Sequence, residues 1–117
     1  MLVNRFFISL LLSSCIYASD DGLLLFNGNC VTCHHSSKSI SAPSMMEVQK
    51  NYKRAFSKKE DFVNYMSKWV IKPNKETSIM LDAVDKYSLM PELAFEMEVL
   101  REISAFIYTH NFKTDKN

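Results

Sequence analysis

Read for polar and apolar positions, the chain is a series of short helical stripes separated by breaks, and no stretch gives a strand signal. Leu23, Leu24 and Phe26 form a short apolar face behind the acidic pair Asp20-Asp21, which suits a helix N-terminus. A first helix is therefore expected from Asp20 to about Asn29. Met45 to about Tyr52 is a second, short candidate. Ser57-Lys58-Lys59-Glu60 reads as a capping box that starts a longer third helix. In it Phe62, Met66, Trp69 and Val70 recur at i, i+4, i+7 and i+8 until Pro73 stops it. A fourth helix is expected over Glu76 to Lys86, where Ile79, Met80, Ala83 and Val84 share a stripe, and Tyr87-Ser88-Leu89-Met90-Pro91 breaks it. The last should run from about Glu92 to Tyr108, burying Val99, Leu100, Ile103, Phe106 and Ile107, with Glu92, Glu96, Glu98, Arg101 and Glu102 mostly outside. The tail Lys113 to Asn117 is expected to fray. The pattern as a whole predicts one all-α domain of about four to five helices.

At 117 residues the chain is one domain by length, and its N-terminus narrows the class. A weakly basic start, Met1 to Asn4 with Arg5, precedes a short apolar run, Phe6 to Leu12, far below the ~20 residues of a membrane span. Residues 1–18 read as a secretory signal, leaving a domain over 19–117. Cleavage after Ala18 is one expectation. The other is that Leu12-Ser13-Ser14-Cys15, which resembles a bacterial lipobox, leaves a lipidated Cys15.

Charge changes the picture only in its distribution. Fourteen basic residues face thirteen acidic ones, and removal of Arg5 with the signal balances them, so no bulk charge argues for nucleic acid. Basic residues dominate from Lys50 to Lys75, whereas Glu76 to Glu102 is mainly acidic. Solvated helix faces explain this adequately. A dipolar molecule that orients toward an oppositely charged partner is the sharper reading.

The chemistry concentrates in Cys30-Val31-Thr32-Cys33-His34. Two thiols three positions apart followed at once by an imidazole form a covalent haem attachment signature, each thiol closing a thioether on one vinyl group while the imidazole falls beside the iron. Half a zinc site is the competing reading, but zinc needs four ligands and no second Cys pair exists. A thioredoxin-like redox pair would want a βαβ context that this chain does not supply.

With these residues in place, the series Gly22-Leu-Leu-Leu-Phe26-Asn-Gly-Asn-Cys30-Val-Thr-Cys33-His34, then Ala42-Pro43, then Met90-Pro91, resembles a small monohaem cytochrome c of class I. The resemblance covers nearly all of the chain after its signal. It implies a cytochrome c-like fold around one covalent haem c, with N- and C-terminal helices crossing where Gly22 and Phe26 meet Ile103 and Phe106. It also implies that the Pro43 carbonyl accepts a hydrogen bond from Nδ1 of His34, fixing the ring and raising its basicity as an iron ligand. The usual glycine-rich stretch after the motif is replaced here by Ser36-Ser37-Lys38-Ser39-Ile40-Ser41.

The sixth iron ligand decides between electron transfer and catalysis or gas binding. Met66, Met80 and Met97 fit ordinary core at helical spacing. Met90 differs, because Pro91 holds its segment out of helix geometry, and Met-Pro at this place matches the class I motif. His35 and His110 are not expected to ligate. His110 instead suits the C-terminal end of its helix, while Trp69 and Tyr52 are packing aromatics that could also donate to a haem propionate.

Metal ligands are therefore expected to be His34 and Met90, with Cys30, Cys33 and Pro43 completing the cofactor site. The function expected is a periplasmic one-electron carrier with no catalytic turnover of its own. It would serve redox partners of a respiratory chain and touch a membrane only through a lipid at Cys15. A five-coordinate haem sensor or peroxidase-like enzyme is the alternative, and a metal-binding structural module a further one.

Overall fold

The computed structural model describes residues 21–116. The expected signal over 1–18, the alternative at Cys15, Asp20 and Asn117 lie outside the described residues. Within them are five α-helices and no strand: α1 Asp21–Asn29, α2 Met45–Ala55, α3 Lys59–Ile71, α4 Leu81–Tyr87 and α5 Met97–Thr109. Short 3-10 turns at Lys75–Thr77 and Phe112–Thr114 complete the order. No described helix is long and apolar enough to cross a membrane.

α5 is the spine, lying against α3 on one side and α1 on the other. Its approach to α1 depends on Gly22: a Cβ there would stand 2.9 Å from Cβ of Phe106 and 3.1 Å from the carbonyl oxygen of Glu102. Four residues on, the Phe26 ring meets Phe106 at 5.2 Å between centroids. α1 and α5 thus pack closely at Gly22, Phe26 and Phe106. The core joins Phe26, Met45, Val48, Tyr52, Phe62, Val63, Met66, Ile103, Ile107 and Phe112. Ser67 and Ser104, both buried, share a 3.3 Å hydrogen bond across the α3–α5 contact. Gln49 of α2 donates from Nε2 to the carbonyls of Ile107 (2.6 Å) and His110 (2.7 Å), satisfying acceptors that a helix end leaves open.

Five expectations need correction. α2 continues to Ala55, three residues past the expected end. The capping box does not form, because α3 starts at Lys59 with Lys58 as its N-cap and no side-chain cap bond. Ser57 then lies outside the helix, where its carbonyl accepts from the Tyr108 hydroxyl at 2.8 Å. The single helix expected over Glu76 to Lys86 is split. The Asn74 side chain accepts from the N–H of Glu76 (2.9 Å) and that of Ser78 from the N–H of Met80 (3.1 Å), local bonds that compete with a continuous ladder.

α5 begins at Met97, not Glu92. Ala94 sits at φ 52°, in the left-handed region a continuing helix cannot use, so residues 92–96 run as an irregular strap. The tail does not fray over its described part: Lys113 and Thr114 belong to the turn that begins at the buried Phe112, and the Asp115 carboxylate is bonded to Ser36 and His110, each at 2.8 Å.

Candidate functional site

The hydrogen-bond ladder of α1 runs on into the motif. Cys30 N donates to the Phe26 carbonyl at 2.9 Å, and His34 N donates to the Cys30 carbonyl at 2.9 Å, with Cys33 N at 3.3 Å from the same oxygen. This turn leaves Cys30 half-buried, Cys33 exposed and His34 half-buried. Burial pushes the Cys30 thiol up to about 11. It also lowers the His34 imidazole below the ordinary histidine value, partly opposed by the bond to Pro43.

That bond is short. His34 Nδ1 donates to the Pro43 carbonyl oxygen at 2.8 Å, so the ring keeps its proton on Nδ1 and leaves the lone pair on Nε2. The intervening serine-rich loop is tied at several points. Met45 N and Met46 N donate to the carbonyls of His35 (2.8 Å) and Ser36 (3.0 Å), and Ser44 N donates to Ser39 Oγ (2.9 Å). Ser44 caps α2 by accepting from the N–H of Glu47 at 3.2 Å. Serine hydroxyls and the start of α2 thus set the course of this stretch.

Cys30, Cys33, His34, Pro43 and Met90 all border one cavity of about 230 Å³. α2 contributes Met45, Val48 and Tyr52 to it, α3 Met66, Trp69 and Val70, α4 Ala83 and Val84, and α5 Leu100, Ile103 and Ile107. The wall is mainly apolar. Burial, with Tyr65 nearby, raises the Tyr52 phenol well above its ordinary value and keeps it protonated. Trp69 Nε1 donates to the Asn74 carbonyl at 3.1 Å, so the indole N–H has a protein partner.

Sequence reasoning missed parts of this wall. Met80, expected as plain core, is half-buried and lines the cavity, because the break at Ser78 redirects the residues after it. Leu93 and Phe95, assigned to the last helix, line the cavity from the strap. His35 and His110 do not line it; they border a second cavity on the far side of α1. Met97 is half-buried and apart from both.

Chemically, a neutral imidazole and thioethers face one apolar cavity that two thiols flank. This donor set fits a porphyrin iron joined to the chain through thioethers. Among the described residues no three His, Cys, Asp or Glu side chains gather where a metal ion could be held. Comparison of the chain with protein-family models, curated proteins and solved structures gives no match.

Proposed function

We propose that this chain is a one-electron carrier built on a single covalently attached c-type haem, as its resemblance to class I cytochromes c implies. The observation that carries the reading is the convergence of Cys30, Cys33, the Pro43-bound His34 and Met90 on one apolar cavity. Cys30 and Cys33 would hold the group by thioethers, and His34 Nε2 and the Met90 thioether would be the side chains that bind its iron. Bound there, the haem supplies a reversible iron(III)/iron(II) couple whose potential Met/His ligation raises.

The protein's own part is to bind, orient and exclude. Pro43 holds the His34 ring in one tautomer and orientation, which raises its basicity toward iron. Leu100, Ile103, Ile107 and Val84 present hydrocarbon to the cavity and keep water out. As such a carrier it would have no catalytic turnover of its own and would serve redox partners of a respiratory chain in the periplasm. Whether it diffuses or is anchored follows from processing at Ala18 or Cys15.

One observation favours the second reading, a five-coordinate haem sensor or peroxidase-like protein. Among the described residues, 89–95, which carry Met90, make no hydrogen bonds, whereas the His34 side is tied at many points. Such a segment belongs to the least stable part of a fold. Met90 could then leave the iron readily.

The test of covalent attachment is extraction of the exported protein with acid acetone, followed by a haem stain on a denaturing gel. Colour that stays with the polypeptide, and is lost in Cys30→Ala with Cys33→Ala, is the expected result. A colourless band, or one equivalent of zinc in place of iron, would overturn the reading in favour of a structural metal module.

A further inference from the structure

The carboxylate of Asp115 joins three separate parts of the chain. It accepts a hydrogen bond from the Ser36 hydroxyl at 2.8 Å, and His110 Nε2 lies 2.8 Å from its other oxygen. Ser36 is two residues beyond His34, while His110 is the C-cap of α5, its ring stacked on Phe106 at 4.7 Å. Phe112, packed against Phe26 and His110, anchors the turn that presents Asp115. From its other side Ser36 is held through its carbonyl by Met46 N at 3.0 Å.

Asn27, His35, Ser36, His110 and Asp115 border the second cavity, of about 390 Å³. Beside it the Ser36–Asp115 hydrogen bond links the loop to the tail directly. The carbonyls of His35 and Ser36 stay bonded to Met45 N and Met46 N, so loss of the Ser36–Asp115 bond releases the tail-facing side of this segment alone.

We infer that Asp115 is a positioning residue for the iron ligand: by holding Ser36 it fixes the chain leaving His34, and with it the plane of the imidazole against the haem. The inference rests on the haem reading above. Ring plane and the His34–Pro43 bond govern how the imidazole meets the iron, as outer partners of a ligating histidine do generally. The serine-rich loop and the docked tail thereby act as one device, with the C-terminus restraining the ligand side of the cofactor.

The experiment uses the haem-loaded protein with Asp115→Ala, Ser36→Ala, the double variant and Asp115→Asn. Its readouts are the hyperfine-shifted proton resonances of the His34 ring and the midpoint potential. Both should move in Asp115→Ala and in Ser36→Ala, the double variant should move no further than either single one, and Asp115→Asn, which keeps an acceptor for Ser36, should restore most of the wild-type signal. Ser36→Ala breaks the same bond without touching the tail, so poor folding of Asp115→Ala leaves the test intact. A wild type without covalent haem overturns the underlying reading. A haem-loaded wild type with unchanged resonances and potential in both single variants overturns the positioning role alone.

Discussion

Nδ1 of His34 and the carbonyl oxygen of Pro43 lie 2.8 Å apart, across a nine-residue span that returns to the ligand through serine hydroxyls and the first turn of α2. A carbonyl can only accept, so the geometry fixes the tautomer. Multiple-bond ¹⁵N correlation on the reduced haem protein should find Nδ1 protonated and its proton slow to exchange. A rapidly exchanging Nδ1 proton would place the ring outside this hydrogen bond.

The cavity has an energetic consequence for the chain lacking its group. A void costs about 24 cal/mol per Å³, so about 230 Å³ left unfilled is worth at most about 5.5 kcal/mol, comparable with the whole stability of a small domain. Cys30→Ala with Cys33→Ala, produced without haem, should melt well below the loaded protein and with weaker cooperativity. Calorimetry showing equal melting temperatures would mean that the group is no part of the core.

Gly22 sets the α1–α5 distance. Alanine gains helix propensity of roughly 1 kcal/mol, but its methyl would press on Phe106 Cβ at 2.9 Å and on the backbone of Glu102 at 3.1 Å, neither of which is the free end of a flexible side chain. Overpacking of this kind costs about 1 to 3 kcal/mol, so Gly22→Ala should be destabilising on balance, as denaturant unfolding would show. Gly28, with nothing within 4 Å of its Cβ position, is the control: Gly28→Ala should be neutral or slightly stabilising.

The tail predicts a pH effect. Slight burial alone would raise the Asp115 carboxyl, but hydrogen bonds from Ser36 and His110, with the charge on His110, outweigh it and hold the group below its ordinary 3.8. A depressed native value means that the unfolded chain binds this proton more readily. The stabilisation is present above about pH 4 and is lost as pH falls through the lower native value. Thermal unfolding from pH 6 to pH 2 should show Asp115→Asn less stable than wild type at the upper end and the two converging at the lower. A constant difference across the range would remove Asp115 from the titration.

Much of the fold was legible because its signals were local. The stripe of Phe62 and Met66 and the stop at Pro73 define α3, and Gly22 with Phe26 marks the helix crossing. The elements that form the open wall of the cavity were not legible. A helical pattern continues through Glu92 and Glu96, yet the backbone takes a positive φ at Ser88 and Ala94, and Leu93 and Phe95 both turn to the cavity. Closing over that space wins there over helix propensity. Of the residues that border the cavity, Cys30, Cys33, His34, Pro43 and Met90 were readable, the first three because they adjoin in sequence and the last two because they sit at proline-marked breaks. Met80 was not, since its place depends on the Ser78 bond that interrupts its stripe. The docking of the tail rests on Phe112, which no periodicity announces.

The most direct test concerns the sixth ligand, because Met80 and Met90 both line the cavity and only an occupied axial position makes a carrier. The measurement is the ferric far-red absorption band of a thioether-bound haem, together with CO binding to the ferrous protein, in wild type, Met90→Ala and Met80→Ala. The account predicts the band in wild type and Met80→Ala, its loss in Met90→Ala, and ready CO binding only in Met90→Ala. Immediate CO binding by the wild type, or a band that survives in Met90→Ala and disappears in Met80→Ala, would contradict it.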